Sequence, residues 1–153
     1  MPQYLYTAMD AAGKEQKGKI NAANEEAAKS ELKGKKLGVI GLGAIGVLVA
    51  NTAYHLGMEV YGYDPYLSVD AAWKLSRHIH HARTVDELYH ECDYITIHVP
   101  ATPNTKGMID KNAISLMKND VVVLNFARDV LVNEEDMVDA LLSGKVKKYV
   151  TDF

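Results

Sequence analysis

The chain has 153 residues, a formal net charge of −3, a hydrophobic fraction of 48% and a charged fraction of 24%. This composition is typical of a globular domain, and without a basic excess there is no reason to expect a nucleic-acid partner. Cys92 is the only cysteine and cannot form an internal disulfide, which favours a reducing compartment. The longest apolar stretch, 37–50, is shorter than the roughly 20 residues of a membrane-spanning helix, and the N-terminus lacks a signal-peptide pattern. We therefore expect a cytoplasmic protein with no membrane span.

The first segment of the chain, 1–30, predicts a β-hairpin followed by a short helix. Residues 3–9 alternate in polarity, an Asp-Ala-Ala-Gly sequence at 10–13 indicates a turn, and 17–22 suit a return strand. A helix is expected over 24–32, because acidic residues fall in its first turn. A change in composition after this helix predicts a domain boundary, with a second domain over residues 31–153.

Beyond this boundary, strand-like and helical patterns alternate strictly. Strands are predicted at 37–40, 59–63, 78–81, 94–99, 121–125 and 148–152. Helices are predicted at 44–56, 69–75, 85–91, 111–117 and 133–142, the last with Asn133 as its cap and Gly144 as its stop. Such alternation predicts an α/β fold with a doubly wound parallel Rossmann sheet, in strand order 3-2-1-4-5-6.

The first strand and helix of this domain are joined by a G-x-G-x-x-G sequence formed by Gly41, Gly43 and Gly46. Gly41 suits a tight turn, Gly43 lets a pyrophosphate approach the backbone, and Gly46 lets the helix pack closely on the strand. Asp64 follows 18 residues after Gly46, at the end of the next strand, where its carboxylate can accept both ribose hydroxyls and repel a 2′-phosphate. The motif predicts NAD binding in preference to NADP; the alternative is a strand–helix turn that binds no ligand.

Residues 31–153 resemble the NAD-binding domain of the D-isomer-specific 2-hydroxy-acid dehydrogenases. The resemblance is carried by ELKGKKLGVIGLGAIG (31–46), YGYDPY (61–66), DYITIHVPATPNTKGMI (93–109), VLNFARDVLVNEEDMVDAL (123–141) and YVTDF (149–153). It implies NAD as the cofactor and oxidation of the CH–OH group of a small D-2-hydroxy acid, or reduction of the 2-oxo acid. It also implies that the cofactor contacts Gly41, Gly43, Ala44, Ile45, Gly46, Asp64, Pro65, Val99, Pro100, Thr105, Ala127 and Asp152.

The same resemblance implies that Arg128 is the catalytic residue of this segment, binding the substrate carboxylate and polarising its carbonyl. A guanidinium suits this role because its fork of donors can hold two oxygens together. The alternative is a surface arginine paired with Asp129 or Glu134. The family commonly has glycine where this chain has Asp129, and a carboxylate there could weaken anion binding.

Histidines are the usual proton donors and acceptors in hydride transfer. His78 and His80 could share a face of an extended strand, but no carboxylate or cysteine pattern completes a metal site, so we expect none. His98 fits a packed histidine better than an acid. The catalytic histidine and its orienting glutamate lie, in the resembled family, beyond the strand that ends near Phe153. We therefore expect these 153 residues to be inactive by themselves.

Segment 1–30 resembles the start of type II secretion system F proteins, which would make the chain a chimera. An alternative function follows, in which this N-terminus makes the chain a non-catalytic interaction or assembly module. The resembled dehydrogenases pair through their nucleotide-binding domains, and the helix predicted at 44–56 has apolar residues on more than one face. A homodimer is therefore expected.

Overall fold

The computed structural model describes the backbone of residues 3–9, 15–21 and 25–153, and the side chains of Ala27 and residues 30–153. It divides into two compact units, the first ending at Lys33 and the second beginning at Gly34. In the first unit, β1 (Gln3–Met9) and β2 (Glu15–Asn21) pair antiparallel, and α1 (Glu25–Leu32) follows. The predicted hairpin and helix are present; the predicted turn at 10–13 lies outside the described residues.

The second unit is a sheet of six parallel strands in the order β5-β4-β3-β6-β7-β8, which is the predicted order 3-2-1-4-5-6. The Rossmann fold is therefore confirmed. Its elements are β3 (Lys36–Ile40), α2 (Ala44–His55), β4 (Glu59–Tyr63), α3 (Val69–Lys74), β5 (His80–His81), α4 (Val85–Glu91), β6 (Tyr94–Ile97), α5 (Lys111–Leu116), β7 (Val121–Asn125), a 3-10 turn (Asp129–Leu131), α6 (Glu134–Ser143) and β8 (Val146–Thr151).

The central strands are buried on both faces because helices cover both sides of the sheet. Val39 of β3 and Ile95 and Ile97 of β6 are fully buried. Gly38 faces Leu88 of α4 so closely that a side chain at Gly38 would displace it. Because β4, β3 and β6 are neighbouring parallel strands, their carboxyl ends form one continuous edge of the sheet.

Side-chain caps fix where the helices beside this edge begin. The carboxylate of Asp110 accepts a hydrogen bond from the N–H of Ala113 at 2.9 Å and starts α5. The amide oxygen of Asn133 accepts one from Asp136 at 3.1 Å and starts α6, as predicted, and Gly144 ends α6 with φ at +79°.

The structure corrects two of the predicted strands. The strand predicted at 78–81 contains only His80 and His81, because the chain just before it forms a turn in which Ile79 N–H donates to the Ser76 carbonyl. The strand predicted at 94–99 ends at Ile97, where its partner β7 ends at Asn125. Both corrections concern strand ends, where neighbouring strands rather than local polarity decide the length.

Cys92 follows α4 and its side chain is fully buried. Burial, with a smaller contribution from Asp93, raises the pKa of the Cys92 thiol to about 12. Because the thiolate is the reactive form, we expect the native protein at pH 8 to resist Ellman's reagent, and the denatured protein to react with one equivalent. The measurement is absorbance at equal protein concentration with and without denaturant. Labelling of the native protein at the denatured rate would contradict the buried position.

Candidate cofactor and substrate site

Two of the three motif glycines are required by the fold itself. Gly41 has φ at +91°, its N–H donates to the Tyr63 carbonyl at 2.9 Å, and a Cβ there would lie 2.6 Å from the His98 carbonyl oxygen. A Cβ at Gly46 would overlap the carbonyl oxygen of Gly41. The first turn of α2 therefore lies directly against the turn that ends β3.

Gly43 differs from these two glycines, because no packing contact among the described residues requires its lack of a side chain. Its φ is −74°, and outside its immediate chain neighbours and helix backbone no described atom lies within 4 Å of the position where its Cβ would be. It is the N-cap residue of α2, and no side chain caps that helix. The free N–H groups of the first turn, which includes the exposed Ala44 and Ile45, are available to an anion.

Asp64 links the glycine turn to the end of β4. One carboxylate oxygen accepts the N–H of Leu42 at 2.8 Å, and the other accepts the N–H of Tyr66 at 2.8 Å. A carboxylate oxygen can accept more than one hydrogen bond, so capacity remains on the side that faces the neighbouring cavity. The same group thus fixes the loop and is available to a ligand.

A cavity of about 830 Å³ lies at the carboxyl ends of β3, β4 and β6, between these strands and α4 and α5. This volume is in the usual range for small-molecule and cofactor sites. The cavity brings together the following predicted cofactor residues: Gly41, Gly43, Asp64, Pro65, Val99, Pro100 and Thr105. Of the other predicted residues, Ala44, Ile45 and Gly46 adjoin it in the first turn of α2, whereas Ala127 and Asp152 are elsewhere.

Thr105 shapes the loop that closes one side of the cavity. Its hydroxyl donates to the Pro100 carbonyl at 2.6 Å and accepts the N–H of Thr102 at 2.8 Å. These contacts commit the hydroxyl proton to the loop. A ligand would therefore meet Thr105 as a hydrogen-bond acceptor or through its methyl group.

Arg128 lies just after β7, on a loop organised by a buried residue that sequence reasoning missed. Asn125 is 0% exposed; its amide donates to the Arg128 carbonyl at 2.8 Å and to the Tyr149 hydroxyl at 3.3 Å. Its oxygen accepts the N–H of Ala127 at 3.1 Å. The sequence does offer one signal for this role, because the apolar sequence VVVLN ends in the polar residue Asn125. An amide buried at the end of such a strand must be fully hydrogen-bonded.

The guanidinium of Arg128 is exposed and donates to the Ala127 carbonyl at 2.6 Å. Within the part of the chain that the structure describes, Arg128 has no ion pair, so the alternative partners Asp129 and Glu134 do not hold it. Asp152 follows the end of β8 and is also exposed. Arg128 is therefore available to an added anion.

The histidines occupy two different environments. His98 lines the cavity, its Nε2 is 3.0 Å from the Thr96 hydroxyl, and burial lowers its pKa. His78 stacks on Tyr54 with ring centroids 5.1 Å apart, and His80 stacks on Tyr61 at 4.8 Å. Among the described residues no group of three His, Cys, Asp or Glu is arranged to hold a metal ion.

In the same residues no helix is long and apolar enough to cross a bilayer.

The family described as D-isomer specific 2-hydroxyacid dehydrogenase, NAD binding domain, matches residues 4–153. The chain therefore belongs to this family, and NAD is the cofactor of its domain.

Among curated relatives, D-3-phosphoglycerate dehydrogenase of Methanocaldococcus jannaschii is 40% identical over 122 residues, which are 80% of this chain and 23% of the relative. Hydroxypyruvate reductase of Blautia hydrogenotrophica is 41% identical over 116 residues, 76% of this chain and 35% of the relative. The chain thus spans 23% and 35% of the length of these two relatives.

Solved structures agree with the family assignment. The apo-structure of D-lactate dehydrogenase from Escherichia coli matches with a TM-score of 0.73 and 30% identity, over 79% of this chain and 37% of that one. NAD-dependent formate dehydrogenase from Staphylococcus aureus, in complex with NAD, matches with a TM-score of 0.71 and 34% identity, over 80% and 35%.

The contrast between Gly46 and Gly43 gives a stability prediction. Gly46→Ala should lower the free energy of unfolding by about 1–3 kcal/mol or more, because its methyl group overlaps the Gly41 carbonyl. Gly43→Ser is the matched control. It should change the free energy of unfolding by about 0.5 kcal/mol or less, because the position is open and serine is a good N-cap. Urea denaturation of both variants measures this. Equal destabilisation would show that the two glycines are not distinguished by packing.

Proposed function

We propose that this chain binds the adenosine diphosphate half of NAD in the 830 Å³ cavity, with the pyrophosphate over Gly43. The observation that carries the proposal is the open, unstrained position of Gly43. The fold accounts for the absence of a side chain at Gly41 and Gly46 but not at Gly43. A ligand that approaches the backbone there does account for it.

The charges around the cavity support the same orientation of the dinucleotide. The uncapped N-terminus of α2 offers N–H groups and the positive end of the helix dipole to the pyrophosphate. Asp64, held in place by Leu42 and Tyr66, is directed toward the adenosine ribose as an acceptor for its hydroxyls. The nicotinamide end would then lie toward Ala127, Arg128 and Asp152.

In this proposal Arg128 binds the carboxylate of a small D-2-hydroxy or 2-oxo acid beside the nicotinamide. Its guanidinium forms no ion pair with any described residue, and the Asn125 amide fixes the backbone that carries it. NAD supplies the hydride acceptor when bound. D-3-phosphoglycerate is the favoured acid, because residues 31–153 as a whole resemble D-3-phosphoglycerate dehydrogenase and several relatives are D-3-phosphoglycerate dehydrogenases.

The proposal is tested by calorimetric titration of the parent and Gly43→Val with NAD. The parent should bind weakly, since the cavity is open to solvent on one side in these 153 residues, and the variant should show no binding at a similar melting temperature. Retained binding in Gly43→Val would contradict the position of the pyrophosphate. Absence of binding in the parent would favour the alternative of a non-catalytic interaction module.

Asp64 should make the site prefer NAD over NADP. The 2′-phosphate of NADP would place negative charge beside a carboxylate that two backbone N–H groups hold in position. Asp64→Asn keeps a hydrogen-bond acceptor but removes the charge, so the ratio of NADP to NAD affinity should rise. Titration of both proteins with both cofactors checks this, and equal or stronger binding of NADP by the parent would contradict the role of Asp64.

The 153 residues should give no measurable oxidation of 3-phosphoglycerate with NAD. Removal of a hydride from carbon needs a base for the hydroxyl proton, worth about 10²–10⁴-fold in rate. His98 is hydrogen-bonded to Thr96 and its lowered pKa weakens it as a base. NADH absorbance over hours measures the rate; turnover that is lost in His98→Gln would show that His98 does act as the base.

We also propose that the chain forms a homodimer through α2. Val47, one of the apolar residues of this helix, belongs to the core, but Ile45 is 66% and Leu48 67% exposed. Paired burial of such residues is the usual reason for a two-fold interface. Leu48→Glu should shift the protein toward monomer in sedimentation velocity, and a parent that is monomeric at high concentration would contradict the proposal.

A further inference from the structure

A second cavity, of about 510 Å³, lies at the opposite edge of the sheet from the 830 Å³ cavity. It is formed at the amino end of β4, between the last turn of α2 and the segment 77–80 at the start of β5. The two cavities share no lining residue. The volume of the second cavity is also in the usual range for small-molecule sites, and NAD binding as proposed above leaves it unused.

Basic side chains line this second cavity, and two of them take no part in holding the fold together by hydrogen bonds. Arg77, His78 and His80 all contribute to its wall. Among the described residues the guanidinium of Arg77 has no ion pair or hydrogen bond, and the ring nitrogens of His78 have no hydrogen-bond partner. Free N–H groups of a guanidinium and an imidazole are suited to hold the oxygens of an anion.

The segment that carries these basic side chains is held in place by other groups. The side-chain amide of Asn51, on α2, donates to the Lys74 carbonyl at 2.8 Å and accepts the N–H of Ser76 at 2.8 Å. The His78 ring stacks on Tyr54, with an angle of 7° between the ring planes. The basic groups are therefore positioned before a ligand arrives, which reduces the entropy lost on binding.

Glu59 also lines the second cavity, but its carboxylate is already engaged by neighbouring groups. One of its oxygens accepts the Tyr61 hydroxyl at 2.9 Å and lies 3.5 Å from His80 Nε2. The His80 ring is in turn stacked on Tyr61, with 4.8 Å between the ring centroids. Glu59 therefore acts on His80 and leaves Arg77 and His78 to a ligand. No other lining side chain among the described residues is acidic, so an anion is the favoured ligand.

We propose that the second cavity binds a phosphoryl group, as inorganic phosphate or as part of a phosphomonoester, through Arg77 and His78. The planar fork of the guanidinium can hold two phosphate oxygens, and the imidazole can donate to a third. A phosphoryl group carries a charge of about −1.5 to −2 near pH 7, whereas a carboxylate carries a single charge and has only two oxygens. This site is separate from the cofactor cavity and does not depend on NAD binding there.

The test follows the side-chain NMR signals of Arg77 and His78 during titration with inorganic phosphate, methyl phosphate or acetate at constant ionic strength. The proteins are the parent, Arg77→Gln, His78→Phe and Arg83→Gln, and in each variant the signals that remain are followed. Phenylalanine at position 78 keeps a ring against Tyr54 and removes the ring nitrogens. Arg83 is the matched control, because it is exposed, lines neither cavity and has no ion pair among the described residues. Melting temperatures verify folding.

We expect the parent and Arg83→Gln to show saturable shifts with both phosphate compounds, and to bind acetate at least about tenfold more weakly. Arg77→Gln should weaken phosphate binding at least about tenfold, and His78→Phe about three- to tenfold. Tighter binding of methyl phosphate would assign the site to a phosphomonoester, and equal or tighter binding of inorganic phosphate would assign it to the free ion.

Three results would overturn the proposal. They are the absence of saturable shifts in the parent, binding of acetate as tight as that of phosphate, and an equal loss of phosphate binding in Arg83→Gln and Arg77→Gln. The last result would show that phosphate responds to the overall charge of the protein and not to this cavity.

Discussion

The first turn of α2 lies directly against the end of β3, with no room for a side chain between them, and the arrangement of the site depends on this contact. Gly46 rests on the carbonyl of Gly41, and Gly41 in turn lies against the backbone of His98. Because no side chain separates α2 from the end of β3, the helix axis is directed at the carboxyl edge of the sheet. The N–H groups of its first turn are consequently held over the cavity by packing, and no flexible side chain is needed to present them.

The described residues form the part of the site around Asp64 more completely than the part around Arg128. Around Asp64, residues of β4, α4 and α5 form the walls of a cavity that is open on one side. Around Arg128 the surface is open, with Phe126 50% exposed and Val130 40% exposed next to it. Enclosure provides affinity, whereas an open arginine provides only orientation. The described residues thus suit holding a dinucleotide better than acting on a second molecule.

Much of this arrangement was predictable from the sequence, for identifiable reasons. The strands and helices have strong periodicities, and the roles of Gly41 and Gly46 follow from local geometry at a strand–helix turn. The role of Asn125 was not predictable, because its amide bonds to Tyr149 in a strand 24 positions away. β5 is short because it lies at the edge of the sheet, and the local pattern of polarity does not show that position.

The contact between Asp64 and Leu42 bears on how cofactor preference could change, by evolution or by engineering. Here the carboxylate also holds the backbone of the glycine turn, so an exchange to alanine or arginine would leave the Leu42 N–H without its acceptor. Either exchange would therefore need a further substitution that restores an acceptor for that N–H, whereas asparagine keeps a side-chain oxygen that can accept it. The charge of this side chain and the stability of the glycine turn are thus linked through one hydrogen bond.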